Sequence, residues 1–99
     1  MNQALNLHSI VVATSDQVSC PLGGESAVLN LKNSVYYGLD PLGTRIWDLL
    51  REPRSVCDMR DALLSEYAVD AEQCEQHLLD FLKGMLGEGL IDVRKARRP

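Results

Sequence analysis

Short β-branched and alternating segments broken by polar and glycine-rich turns fill the first forty positions, and apolar residues then recur every three or four, so the chain divides into a strand-forming part and a helix-forming part. Ile10-Val11-Val12-Ala13-Thr14 is rich in β-branched residues, ends at the polar pair Ser15-Asp16, and predicts a first strand. Cys20-Pro21-Leu22-Gly23-Gly24 reads as a cluster of breakers. From Glu25 to Leu31 the pattern alternates, with Ala27, Leu29 and Leu31 on one face and Val28 and Asn30 on the other, which predicts a second strand. Lys32-Asn33-Ser34 makes a turn in which Asn33 is best suited to a positive φ. Val35-Tyr36-Tyr37-Gly38-Leu39 then completes a hairpin as a third strand. Val35 and Tyr37 are expected on the buried face with Leu39, and Tyr36 on the other.

Asp40-Pro41 changes the period, because Asp is a favoured N-cap and Pro is tolerated at the first helical position. Leu42, Ile46, Leu49 and Leu50 follow at helical spacing, with Trp47 on the flank, until Glu52-Pro53 ends the run. Ser55 caps a second helix with the stripe Val56, Met59, Leu63 and Tyr67. Asp70 caps a third, predicted from Ala71 to about Gly87, with Gly87 and Gly89 available to stop it. Leu90 to Val93 is too short for a helix and reads as a terminal strand or an extended tail.

The expected fold is α+β, a three-stranded antiparallel sheet followed by three helices in a winged helix-turn-helix-like plan. With 99 residues the chain has the size of a single domain, expected over residues 1–93 with a basic, disordered tail at 94–99. Met1 to Ser9 holds no basic cluster followed by an apolar stretch, and the longest apolar run is four residues (Ile10 to Ala13), so the expected location is the cytoplasm. The net charge of −4 conceals an asymmetry. Arg94, Lys95, Arg97 and Arg98 lie in the last six positions, so six basic and fourteen acidic side chains leave residues 1–93 at −8. Such a body repels phosphate.

The third helix carries the most informative pattern. Leu79, Leu82 and Leu86, then Leu78, then Cys74, Phe81 and Met85, with His77 at the margin, span an arc of about 160°, wider than one-sided packing requires. The third strand contains no Lys and no Pro to blunt an edge. An open strand edge beside an apolar helix face makes a groove for an extended peptide. The same width also results when a last helix packs against both other helices and the sheet, and most edge strands go unused, so pattern alone leaves both readings open.

Catalytic and metal chemistry find less support. Cys74, His77 and Asp80 follow one another at steps of three, but a nucleophilic cysteine needs a cleft with converging groups, for which so small a core leaves little room. Cys20, Cys57, Cys74, His8 and His77 show no ligand spacing, and three widely spaced cysteines suggest reduced thiols. Neither GxxxxGK[ST] nor GxGxxG occurs. The chain is therefore expected to be no enzyme and to need no cofactor or metal. A recognition helix carrying Asp70, Glu72, Glu75, Asp80 and Glu88 against Lys83 alone is repelled by DNA and suits a peptide with basic residues.

The ordered set Val28-Leu29-Asn30-Leu31, Val35-Tyr36-Tyr37-Gly38-Leu39-Asp40-Pro41, Leu42-Gly43-Thr44-Arg45-Ile46-Trp47-Asp48-Leu49-Leu50, with Leu78-Leu79-Asp80-Phe81-Leu82 and Gly87-Glu88-Gly89-Leu90-Ile91 downstream, resembles the PqqD-like proteins, or RiPP recognition elements. These small domains bind the leader of a ribosomally made precursor peptide, and the wording from Leu39 to Trp47 is most similar to the stand-alone component of lasso-peptide biosynthesis. The resemblance implies that a leader adds as a strand to the third strand, lies against the third helix, and is presented to a separate cysteine protease and an ATP-dependent cyclase. By position it implies Val35, Tyr36, Tyr37 and Gly38 as the pairing edge and Cys74, His77, Leu78, Phe81 and Met85 as the facing wall. Glu72, Glu75 and Asp80 are expected as electrostatic contacts. Another peptide pathway, such as quinone-cofactor synthesis with a radical enzyme, and a DNA-binding regulator using the basic tail remain as alternatives.

Overall fold

The computed structural model describes residues 5–23 and 25–94. Six strands and three helices follow in the order β1 (Ile10–Ala13), β2 (Gln17–Leu22), β3 (Glu25–Asn30), β4 (Val35–Leu39), α1 (Pro41–Leu49), β5 (Arg54–Ser55), α2 (Val56–Glu66), α3 (Ala71–Gly87) and β6 (Ile91–Arg94). They form two antiparallel three-stranded sheets, β2-β3-β4 and β5-β1-β6. The α+β class and the three helices are as expected, while the sheets are assembled differently. Ile10–Ala13 pairs with β6 and β5, and the place beside β3 is taken by Gln17–Leu22, whose second half had read as a breaker. Leu90 to Val93, open between strand and tail, resolves as strand: β6 runs from Ile91 to Arg94, so the first residue of the expected tail is paired. The rest of that tail, residues 95–99, lies outside the described residues.

Each helix begins where its side-chain cap predicts. Asp40 accepts from the Gly43 N–H at 2.7 Å, Ser55 from Asp58 at 3.2 Å, and Asp70 from Gln73 at 3.1 Å. Each bond satisfies one backbone donor that the first turn leaves free. At the far end of α3, Gly89 adopts φ 75°, its N–H donates to Leu86, and the Leu90 N–H donates to Met85. This paired closure needs a left-handed residue, which is the reason for glycine there. In the β3–β4 turn the positive φ falls on Ser34 (59°) and not on Asn33. Asn33 instead uses its side-chain oxygen to accept from the Val35 N–H at 3.0 Å, and Asn30 does the same for Lys32.

The core lies between the helices and the inner faces of the sheets. Val11, Val28, Leu50, Val56, Met59, Leu63, Leu78, Leu82, Leu90 and Ile91 are all buried, with Trp47 beside them. On β3 the inward residues are Ser26, Val28 and Asn30, and Ala27 and Leu29 face outward. Arg45 grips the Glu66 carboxylate with two nitrogens, at 2.6 and 2.8 Å, and ties α1 to the end of α2.

Candidate functional site

Strand register decides which backbone groups are available to a ligand. The Leu31 N–H donates to the Asp16 carbonyl at 3.0 Å, immediately beyond the β2–β3 ladder, so Asp16 and Leu31 are a hydrogen-bonded pair. Such pairs alternate along an antiparallel ladder. Leu29 and Ala27 therefore bond to β2, while Ser26, Val28 and Asn30 turn their backbone groups to β4 and meet Leu39, Tyr37 and Val35. It follows that Tyr36 and Gly38 direct their N–H and C=O groups away from the sheet. Among the described residues no strand pairs with that side of β4.

The two edges of this sheet are not equivalent. On β2 the free side belongs to Gln17, Ser19 and Pro21, and Pro21 has no N–H to offer. The proline thus sits where the β3 ladder loses nothing by it, and it blunts the β2 edge. β4 has no such guard.

α3 runs beneath β4. A Cβ on Gly43, in the first turn of α1, would lie 3.2 Å from Phe81 Cε2 and equally close to the Asp40 carboxylate, so glycine is what lets the ring of Phe81 approach. One helical stretch further, the Tyr37 hydroxyl donates to Glu88 Oε1 at 2.5 Å, and the buried Asn30 amide donates to the Glu88 carbonyl at 2.8 Å. The carboxylate as acceptor raises the Tyr37 phenol above its ordinary pKa, with loss of hydration acting in the same direction. Between Phe81 and Glu88 lies Gly84, whose missing side chain leaves open space.

The predicted edge residues are accessible: Tyr36 is 69% exposed, Val35 43%, Gly38 is exposed and Tyr37 half-buried. The predicted wall divides. His77 is exposed and Phe81 half-buried, whereas Leu78 exposes nothing and Cys74 and Met85 are nearly as deep. Cys74, Leu78, Leu82 and Met85 form the stripe of α3 that faces the core, so Leu78 and Met85 belong to the core in this form of the molecule. Burial pushes the Cys74 thiol up, away from the thiolate a nucleophile requires. Cys74 and Leu78 do form the floor of an apolar pocket of about 280 Å³, walled by Leu42, Ile46, Tyr67 and Val69 and bordered by Gln73 and His77. Sequence periodicity assigns Leu42 and Ile46 to the core, and the only signal for this pocket was Tyr67, at the exposed end of the α2 stripe.

The acidic residues also divide. Glu75 is paired with Arg60 of α2 at 3.6 Å, and Glu72 lines a separate polar cleft with it. Asp80 accepts from Gln76 and shares a shallow hollow with His77 on the Phe81 side of the helix. Among the described residues no three His, Cys, Asp or Glu side chains cluster as metal ligands, and no helix is long and apolar enough to cross a membrane.

The geometry can be set beside known proteins. No curated protein matches the chain significantly. A solved structure, TbiB1 in complex with the TbiA(beta) leader peptide, superposes with a TM-score of 0.77 at 34% sequence identity, covering 87% of this chain and 99% of that one. Residues 25–91, from β3 to the start of β6, match the family model described as coenzyme PQQ synthesis protein D (PqqD). An open β4 edge laid against α3, in a fold and sequence shared over this span, makes the chain a member of the PqqD family of RiPP recognition elements.

Proposed function

We propose that the protein is a non-catalytic adaptor that binds the leader of a ribosomally synthesised precursor peptide as a further strand on β4, against α3. The observation that carries this reading is the pair of free backbone positions at Tyr36 and Gly38, on an unblunted edge beside the half-exposed ring of Phe81. Backbone pairing supplies affinity, and alternate side chains of the leader reach the apolar surface below. Val35, Tyr36, Tyr37 and Gly38 form the edge. Phe81 and His77 form the wall, and the pocket floored by Cys74 and Leu78 receives one large apolar anchor. Asp80 offers a charge to a basic leader residue, with Glu72 and Glu75 further along the helix. The likeness to a leader-peptide complex supports the same use of the fold.

In this reading the precursor is a lasso peptide, and the bound leader is presented in the cytoplasm to a separate cysteine protease, with an ATP-dependent cyclase closing the ring. The family model's own description favours a second reading, the same groove serving the peptide precursor of a quinone cofactor. The test is fluorescence anisotropy of labelled leader peptides from both kinds of precursor, run beside a labelled DNA duplex at two salt concentrations. Saturable binding of the lasso leader near micromolar, about −8 kcal/mol, with DNA indifferent, is the expected result. Preference for the quinone-type precursor selects the second reading. Salt-sensitive DNA binding without a peptide response overturns both.

A further inference from the structure

Glycine inside a strand weakens it, and it often marks a bulge, a tight bend or a place where a ligand or another backbone approaches closely. Gly38 lies within the edge strand β4, and the register with β3 runs through it without a bulge. Its φ is not positive, and a Cβ added to it would meet no atom within 4 Å. Neither backbone geometry nor packing within the chain therefore calls for glycine there. Gly43 and Gly89 differ in this respect, the first being crowded by Phe81 and the second held at φ 75°. On the outer face of the sheet Gly38 leaves a gap at the open edge, between two unlike neighbours. Along β4 the next outward residue is Tyr36, 69% exposed, whereas beyond Ala27 on β3 the last outward residue is the acid Glu25.

We infer that the gap at Gly38 is filled by an aromatic side chain of the leader, laid over the glycine and against the ring of Tyr36, so that these two residues select one leader position; the inference rests on the leader-binding reading above. A strand added to β4 sets one residue beside Gly38 and another, two positions away, beside Tyr36, both with side chains on the outer face. The residue beside Gly38 is then diagonal to Tyr36, roughly 7 Å away, a span that aromatic and long side chains cross and short ones do not. Gly38 offers a short side chain nothing to touch, so on this face contact is gained only by one that reaches Tyr36. Among those that reach, a ring loses less rotamer freedom than Met, Gln, Lys or Arg, and it adds the offset or edge-to-face pairing of two aromatic rings.

The test replaces each residue of the precursor's leader peptide in turn by alanine and measures binding by fluorescence anisotropy to the native chain, to Tyr36→Ser and to Gly38→Leu. Both positions are exposed, and Tyr36→Ser keeps the test sound if Gly38→Leu fails to fold. One aromatic leader residue should lose about fivefold in affinity against the native chain, the scale of an aromatic pair, and less than about twofold against either variant. In the native complex its ring protons should show nuclear Overhauser contacts to the α-protons of Gly38 and to the ring of Tyr36. Contacts from Gly38 to an aliphatic, basic or other polar leader side chain overturn the assignment. So does an aromatic replacement that costs the same in all three chains, or a leader that binds without any aromatic residue. Hydrogen exchange at the Tyr36 and Gly38 amides, slowed by the leader, reports the added strand independently. Where exchange is slowed, those outcomes overturn the aromatic position alone; where it is not, the leader does not pair with β4, and the leader-binding reading of this edge fails and takes the aromatic position with it.

Discussion

The Tyr37 hydroxyl donates to Glu88 Oε1 across 2.5 Å, fastening the middle of β4 to the C-terminal cap of α3. With Asn30 bonded to the carbonyl of the same residue, one end of the β4–α3 groove is held by two hydrogen bonds, and the other by the ring of Phe81 against Gly43. In the leader-binding reading proposed above, a groove held at both ends leaves less ordering to be done on binding, which favours affinity.

That bond has a pH signature. The folded pKa of Tyr37 lies above the unfolded value of about 10, so its contribution to stability is complete below that value and is lost as pH rises through the raised folded value. Alkaline titration of phenolate absorbance should show one tyrosine ionising late, and Tyr37→Phe should remove it. If all tyrosines of the native chain titrate together near the ordinary value, the bond does not form in solution.

Tyr36 turns its N–H away from β3, so Tyr36→Pro removes no ladder bond. The folded chain should keep its circular dichroism and melting temperature. Leader affinity should fall about fivefold or more, the equivalent of one hydrogen bond at about 1 kcal/mol. Binding at native strength would show that the peptide does not pair with this edge.

Leu78 and Phe81, three residues apart on α3, should respond oppositely. Leu78→Ala empties a fully buried position and is expected to destabilise the fold by about 2–5 kcal/mol. Phe81 is only half-buried, so Phe81→Ala should cost less stability and weaken leader binding by about tenfold, the loss of an apolar anchor worth roughly 1.5 kcal/mol. Denaturant titration beside anisotropy separates the two effects, and equal loss of both in Phe81→Ala would make that ring a core residue.

Gly84 is exposed in the interior of α3, with no atom near its absent side chain. Gly84→Ala should stabilise the helix by about 0.5–1 kcal/mol. Gly84→Gln should do nearly as well for stability, yet intrude on the groove and weaken the leader complex. An unchanged affinity for Gly84→Gln would mean that the leader does not pass this turn.

The open strand edge was legible in the sequence because its signals are local. A hairpin, a cap at Asp40 and a strand free of Lys and Pro are all written within a few residues. The opposite wall was less legible, since a broad apolar arc on α3 does not say which side meets the core. Cys74, Leu78 and Met85 share that arc with Phe81, and only the placement of α1 and α2 divides them.

By itself the sequence determined where each helix starts, because the bonds of Asp40, Ser55 and Asp70 reach only three residues along the chain. It determined the β3–β4 hairpin and the exposure of Tyr36 for the same reason, alternation being a property of the strand alone. Tertiary structure decided what depends on partners distant in the chain. Ile10–Ala13 pairs with Ile91–Arg94, eighty residues away, and not with its neighbour in sequence. Pro21 is accepted inside β2 because the register with β3 turns its missing N–H outward, and Tyr37 finds Glu88 because the end of α3 returns to the β3–β4 hairpin. Local patterns carry their own geometry, whereas a pairing across the chain exists only once the core has brought both partners together.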